Sequence, residues 1–254
     1  MKRYKAYCFD LDGTVYRGNK GIDSAITFIH KLQREGIEPF YVTNNSSKTP
    51  VQLQQKLAAL GIAAPLEHIY SSAVVTATYI SERFPQQKVQ LIGSDGIREA
   101  LQSQGIHITD EADAKVFVMG IDREVNYSKL VNACLAVQNG AHLIATNEDV
   151  KFPTEQGFVP GNGSFVRLVA SVGGVEPVFI GKPSPIMLEA IASTHHYCKN
   201  EMVLIGDNYQ TDILCGIRFG CDTVHVNTGV TPTEQAQLQK ERPTYCLSSL
   251  EEWL

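Results

Sequence analysis

The stretch Tyr4-Lys5-Ala6-Tyr7-Cys8-Phe9-Asp10-Leu11-Asp12-Gly13-Thr14 begins as a short apolar strand, Tyr4 to Phe9, and stops on an aspartate. Asp10 and Asp12 stand two apart at its end, so both carboxylates can point the same way. Two close carboxylates repel and raise each other's pKa unless a cation sits between them. Mg²⁺ suits that position, because it is hard and takes one or two carboxylates plus waters and phosphate oxygens. Gly13 permits a tight turn, and Thr14 is placed to cap whatever follows. A plain turn with solvated acids fits the same five residues, since Asp and Gly are common in turns. The pair needs company before it carries a function.

Outward from this stretch, short apolar runs alternate with helical segments, the grammar of an α/β protein with mostly parallel strands. Ile22 to Arg34 has apolar residues at helical spacing (Ile22, Ile26, Ile29, Leu32) and a stop at Gly36. Ile37 to Val42 reads as a strand ending at Thr43, and Pro50 to Leu60 as a helix closed by Gly61. Near the other end, Val175 to Ile180, Met202 to Ile205 and Thr223 to Val226 read as strands, and Pro185 to His195 and Thr211 to Phe219 as helices. The two chain ends are expected to build one sheet, with ligands at the carboxyl ends of its strands. Between them, Val89 to Ile92, Val116 to Met119 and His142 to Ala145 read as strands, and Gly96 to Gln104 and Leu130 to Gln138 as helices. Residues 1–79 plus 176–254 therefore form the expected core domain, and 80–175 an inserted α/β domain.

Composition narrows the partners. The chain has 254 residues, with 22 Lys plus Arg against 27 Asp plus Glu, a formal net charge of −5 and no basic run. Phosphate-backbone binding draws on clustered Lys and Arg, so nucleic acid is not an expected partner. No run approaches the ~18 apolar residues that span a bilayer, so no membrane partner is expected either. The N-terminal apolar run is broken by Asp10 and Asp12 before it could serve as a signal-peptide core. Six scattered cysteines without a C-x-x-C pair read as reduced thiols. A cytoplasmic location is expected.

Three further segments follow strands. Thr43-Asn44-Asn45-Ser46 offers hydroxyls, amides and loop N–H groups that can make an anion-binding concavity, though an ordinary polar loop has the same composition. Gly181-Lys182-Pro183 places a Lys, a point-charge phosphate binder, between a strand and a helix, though taken alone Lys182 reads as an ordinary surface lysine. It is no P-loop, because Pro183 stands where Ser or Thr is needed. Gly206-Asp207-Asn208-Tyr209-Gln210-Thr211-Asp212 adds a carboxylate at a strand end, with Asp212 at a helix start, where a cap is the bland alternative. No H-E-x-x-H, G-x-S-x-G or G-x-G-x-x-G motif competes with these.

In order and placement, D-x-D-G-T, T-N-N, G-K-P and G-D-x-x-x-T-D resemble the four motifs of the haloacid dehalogenase superfamily of phosphohydrolases. The insert, with Gly120-Ile121-Asp122-Arg123, Ala145-Thr146-Asn147 and Pro160-Gly161-Asn162-Gly163, resembles the C2-type α/β cap of its NagD-type (class IIA), acid sugar phosphatase-like branch. The resemblance implies a Rossmann-like parallel-sheet core and a phosphatase with Mg²⁺ as cofactor. Asp10 is then the nucleophile that forms an aspartyl-phosphate, and Asp12 the general acid and base. The metal would sit on Asp10, the backbone carbonyl of Asp12, and Asp207. Thr43, the N–H of Asn44, and Lys182 would hold the phosphoryl oxygens, with Asp212 supporting the metal or the lysine. One departure stands out, since Asn208 occupies a position where branch members often carry Arg.

The expected activity is hydrolysis of small soluble phosphomonoesters, sugar or acid-sugar phosphates and p-nitrophenyl phosphate among them. Arg123 is the residue expected to meet an acidic leaving group, because Arg matches carboxylate bidentately. An exposed loop arginine is the alternative. Caps of the branch often pair subunits, so a homodimer is an expected partner state. A phosphotransferase or mutase keeps the same fold and changes the acceptor. A phosphate-binding receiver-like module would need neither the second carboxylate nor a cap.

Overall fold

The computed structural model describes residues 2–111, 113–154 and 156–253. From the N-terminus run β1 (Ala6–Phe9), the antiparallel pair β2 (Tyr16–Arg17) and β3 (Lys20–Gly21), α1 (Asp23–Arg34), β4 (Phe40–Thr43), α2 (Pro50–Ala59), β5 (Ile69–Ser71) and α3 (Ser72–Arg83). Then come β6 (Val89–Ile92), α4 (Asp95–Ser103), β7 (Val116–Met119), α5 (Tyr127–Gln138), β8 (His142–Ala145), the antiparallel pair β9 (Lys151–Thr154) and β10 (Gly157–Pro160), α6 (Asn162–Gly173) and β11 (Val178–Phe179). The chain closes with α7 (Ile186–His195), β12 (Met202–Gly206), α8 (Leu214–Phe219), β13 (Asp222–Val226), α9 (Thr233–Gln237) and β14 (Tyr245–Leu247). The fold is α/β with parallel sheets, as expected from the alternating pattern.

The chain divides into two compact units. One comprises Met1–Thr43, Pro50–Tyr70 and Lys182–Leu254, and the other Asn44–Thr49 and Ser71–Gly181. The first is built on a six-stranded sheet ordered β14-β13-β12-β1-β4-β5. Strand β1 pairs in parallel with β12 on one side and β4 on the other, and β12–β13 and β13–β14 are parallel too. Its middle strands, AYCF and MVLIG, are buried throughout, the apolar run of a parallel strand covered on both faces. Helix α1 buries Ala25, Phe28, Ile29 and Leu32, one face at helical spacing. Trp253 stacks on Phe28 at 5.1 Å between ring centroids and meets Tyr4 and Tyr7. The chain leaves β1 toward β4 and β5 and later fills the other side with β12, β13 and β14. The order therefore reverses at β1, and the carboxyl end of that strand is where a doubly wound sheet binds its ligand.

The second unit has a four-stranded parallel sheet ordered β11-β8-β7-β6. Helices α5 and α6 bury Ala133, Ala136, Val137, Val166 and Val169 in its own apolar core. The segment Asn44–Thr49 is hydrogen-bonded into this unit. The carbonyl of Asn44 accepts from the Ser72 hydroxyl at 2.8 Å and the Asn147 amide at 3.0 Å, and Gly96 N–H donates to Ser47 O at 3.2 Å.

Two expectations are corrected. Val175 to Ile180 is not a core strand: only Val178 and Phe179 are extended, and they pair with Ile144 and Ala145 of β8 in the second sheet. Pro177, lacking an N–H, cannot lengthen the ladder. The expected helix Thr211 to Phe219 begins instead as a five-residue π-helical turn, Tyr209–Ile213, that runs into α8. Among the described residues no helix is long and apolar enough to cross a membrane.

Candidate active site

Asp10 follows β1 directly, and its N–H donates to Ile205 O at 2.9 Å, which extends the β1–β12 ladder by one step. Its side chain is buried. Oδ1 accepts from Lys182 Nζ at 2.6 Å, and Oδ2 is buried with no hydrogen-bond partner among the described residues. Burial raises its pKa well above the usual carboxylate range. The Lys182 charge opposes that rise, and Asp212 and Asp207 add to it.

Lys182 is 1% exposed. Its ammonium reaches Asp10 Oδ1 at 2.6 Å, Asp212 Oδ1 at 2.8 Å and the carbonyl of Val42 at 2.9 Å. Burial alone would lower its pKa, but the two carboxylates outweigh that and hold it well above the usual lysine value.

Asp212 comes from the π-helical turn. It fits against β12 because residue 206 is glycine: a Cβ there would lie 2.3 Å from Asp212 Cβ. π-turns are rare and recur at functional sites; this one carries a carboxylate onto the buried lysine. Asn208, where the resemblance anticipates Arg, caps the turn, its side-chain oxygen accepting from Gln210 N–H at 3.0 Å.

Asp207 sits just past β12 and is braced on both oxygens. Thr14 Oγ1 donates to Oδ1 at 3.0 Å, and Val230 N–H to Oδ2 at 2.6 Å. Burial, then the Asp212 charge, pushes its pKa up to about 6, against the pull of those two bonds. Thr14 is thus a partner of Asp207 rather than a helix cap. Gly13, at φ +99°, passes so close that a Cβ would lie 2.5 Å from the Asp207 carboxylate.

Carboxylate oxygens of Asp10, Asp207 and Asp212 lie within 4.8 Å of one another. Three buried carboxylates against one ammonium, with one oxygen unpartnered, form an oxygen-rich, electron-rich pocket that fits a hard cation. The fit rests on that donor set. The carboxylate of Asp12 lies outside this group and is exposed. Beside it, Tyr16 is buried, and burial first, then the charges of Asp12 and Asp10, hold its phenol above its ordinary value. Thr43 is buried at the end of β4. Asn44 lies in the second unit, where its side-chain amide donates to Asp149 at 3.2 Å.

Arg123 is exposed in the second unit and lines a cavity of about 350 Å³ with Ile121, Asp122, Phe152 and Phe165. Asp122 is engaged by Lys129 at 2.8 Å. The Val230 donor and the Val42 acceptor escaped the sequence reading because both are backbone groups with no residue signature.

A sequence model of the haloacid dehalogenase-like hydrolases matches residues 7–107, and a second model of the same group matches 179–253. The acid sugar phosphatase of Staphylococcus saprophyticus is 43% identical over 252 residues, 99% of this chain and 97% of that protein. The 5′-nucleotidase YutF of Bacillus subtilis is 42% identical over 254 residues, 100% of this chain and 99% of its own length. Among solved structures, a double mutant of the thermostable NPPase from Geobacillus stearothermophilus is 45% identical. It covers 100% of this chain and 99% of that one at a TM-score of 0.93. Likeness of this degree, end to end in sequence and fold, makes the chain a member of the haloacid dehalogenase-like hydrolase family, in its NagD-type branch.

Proposed function

We propose that the chain is a Mg²⁺-dependent phosphatase of small phosphomonoesters that works through an aspartyl-phosphate on Asp10. The observation that carries this is the asymmetry of the Asp10 carboxylate, one oxygen held by Lys182 at 2.6 Å and the other buried without a hydrogen-bond partner among the described residues. A held oxygen fixes the orientation, and the second is left to attack. Relatives named for acid sugar phosphates, 5′-nucleotides and p-nitrophenyl phosphate support the substrate class.

In the first half-reaction, Asp10 Oδ2 attacks phosphorus while the bond from phosphorus to the leaving oxygen breaks. Asp12 donates its proton to the departing alkoxide. In the second, Asp12 as carboxylate takes a proton from water, whose oxygen attacks the phosphoryl group. The bond to Oδ2 breaks, and Asp10 returns as carboxylate with inorganic phosphate released. A carboxylate nucleophile thus divides one difficult displacement into two easier ones. Thr43, the N–H of Asn44, and Lys182 hold the phosphoryl oxygens, where offsetting charge is the main catalytic task. Asp10, the backbone carbonyl of Asp12 and Asp207, with Asp212 behind them, are the groups to hold Mg²⁺, which when bound supplies further positive charge and keeps Asp10 ionised.

The test is phosphate release from p-nitrophenyl phosphate, sugar phosphates and nucleoside monophosphates, with Mg²⁺ and with EDTA, beside Asp10→Asn. Metal-dependent turnover in the wild type and none in Asp10→Asn is the expected result. Turnover persisting in Asp10→Asn overturns the assignment.

A further inference from the structure

Beyond β13, residues 227–231 fold back over Asp207. Val230 N–H donates to its Oδ2 at 2.6 Å and Thr231 N–H to its carbonyl at 3.1 Å. Between Thr228 and Val230 the backbone comes so near that a Cβ on Gly229 would lie 1.8 Å from Oδ2. From the other side, the turn after β1 brings Thr14 Oγ1 to Oδ1 at 3.0 Å. The carboxylate is therefore held by two loops that are more than two hundred residues apart in the chain. Its orientation is single only if the two loops keep one relation to each other.

Thr228 supplies that relation. Its hydroxyl donates to Gly13 O at 2.7 Å, and its carbonyl accepts from Arg17 Nε at 2.5 Å. Both partners lie on the N-terminal turn and the β2–β3 hairpin that follows it. The far end of the 227–231 loop is anchored independently. Thr231 O is 2.9 Å from His225 Nε2, and Thr231 Oγ1 accepts from Tyr209 N–H at 3.0 Å. Losing the Thr228 hydroxyl would not unravel this loop; it would remove the direct tie to the turn that carries Asp12 and leave the bond from Arg17 on the hairpin behind it.

We propose that Thr228 is a positioning residue of the phosphoryl-transfer site, tying the Asp12–Gly13 turn to the brace on Asp207 so that both sides hold one geometry. The assignment rests on the reading of Asp10, Asp12 and Asp207 given under the proposed function. Outer partners of metal-holding carboxylates typically contribute 10–100-fold in metal affinity or activity. Thr228 belongs in that range because it acts on two of the groups together.

Thr228→Val removes the donor at nearly constant volume, and Thr228→Ser keeps it. The readouts are Mg²⁺ binding to metal-free protein by titration calorimetry, kcat and KM for p-nitrophenyl phosphate at saturating Mg²⁺, and melting temperature in EDTA. Thr228→Val is expected to weaken Mg²⁺ binding about 10–100-fold and to lower kcat even at saturating metal, with KM little changed. Thr228→Ser should restore both. A lower melting temperature with Mg²⁺ affinity and kcat unchanged would mean a merely structural hydroxyl and overturn the assignment. Should Thr228→Val fail to fold, Arg17→Ala, at an exposed side chain, carries the same test. Weakened Mg²⁺ binding there supports the assignment, and unchanged binding and kcat overturn it. Asp10→Asn run alongside separates the two readings. Turnover in that variant sinks the site itself, whereas a dead Asp10→Asn beside a fully competent Thr228→Val sinks only the role of Thr228.

Discussion

Replacing Lys182 by Met keeps most of the side-chain volume and removes the ammonium. What remains is Asp10 and Asp212, both buried, each having lost a contact of 2.6 or 2.8 Å, and a Val42 carbonyl without its donor at 2.9 Å. Breaking a buried ion pair by deleting one partner costs about 3–5 kcal/mol. At about 2–4 °C per kcal/mol for a chain of this size, metal-free Lys182→Met should melt about 6–20 °C lower. The deficit should depend on pH in a fixed direction. In the variant Asp10, whose pKa burial already raises, loses the Lys182 charge that opposes that rise, so its folded pKa climbs further above the unfolded one. A raised carboxylate contributes stability that is present at low pH and lost as pH climbs through the folded value. The lysine's own raised pKa keeps its contribution intact through the neutral range. The gap between variant and wild type should therefore be larger at pH 8 than at pH 5. Urea unfolding in EDTA at the two pH values measures it. Trp253, the sole tryptophan, sits in the aromatic cluster of the same unit and reports by fluorescence. A deficit under 1 kcal/mol at pH 8, or one that shrinks from pH 5 to pH 8, would refute the reasoning. Asp212→Asn added to Lys182→Met should recover part of the stability and none of the turnover.

Two further outcomes follow from the geometry. Gly206→Ala would set a Cβ 2.3 Å from that of Asp212, so overpacking should cost about 1–3 kcal/mol and turnover should fall at least tenfold as the carboxylate leaves Lys182; unchanged kinetics and melting would refute the close approach. His195, 3.0 Å from the Tyr70 hydroxyl and beside Phe40 and His68, has its pKa lowered by burial and then by the His68 charge. The unfolded chain takes up that proton first, near 6.5, so stability is lost as pH falls below that value. His195→Gln should flatten the loss between pH 7.5 and 5.5 in urea midpoints, and an equally steep loss would exclude this histidine as its source.

Much of the sheet was legible because parallel strands announce themselves as short unbroken apolar runs. The spans 89–92, 116–119 and 142–145 end where the sequence places them, and β1 loses only Tyr4 and Lys5. Helix α6 was not legible, because Pro160-Gly161-Asn162-Gly163 has the composition of a turn. The glycines serve proximity instead: a Cβ on Gly161 would lie 2.2 Å from Asp149 O, and one on Gly163 2.1 Å from Glu148 O. Val175 to Ile180 misled for a different reason. Its neighbour Lys182 belongs to the core, but the strand itself pairs with β8. At the site, Asp10, Lys182, Asp207 and Asp212 were all marked by type and spacing, and the structure brings all four together. The brace on Asp207 left no trace, since a backbone N–H at Val230 looks the same whatever side chain it bears.

The short segment Asn44–Thr49 has a bearing on how this chain can be re-engineered. Because it groups with the second unit although flanked by first-unit sequence, the polypeptide passes between units at four places rather than two. A chimera that exchanges only residues 71–181 with a relative would make the Asn44 carbonyl depend on that relative's side chains at positions 72 and 147 for its two donors. The transplantable module is bipartite. Exchanges that carry residues 44–49 together with 71–181 keep each hydrogen bond inside one parent, and those are the ones to build.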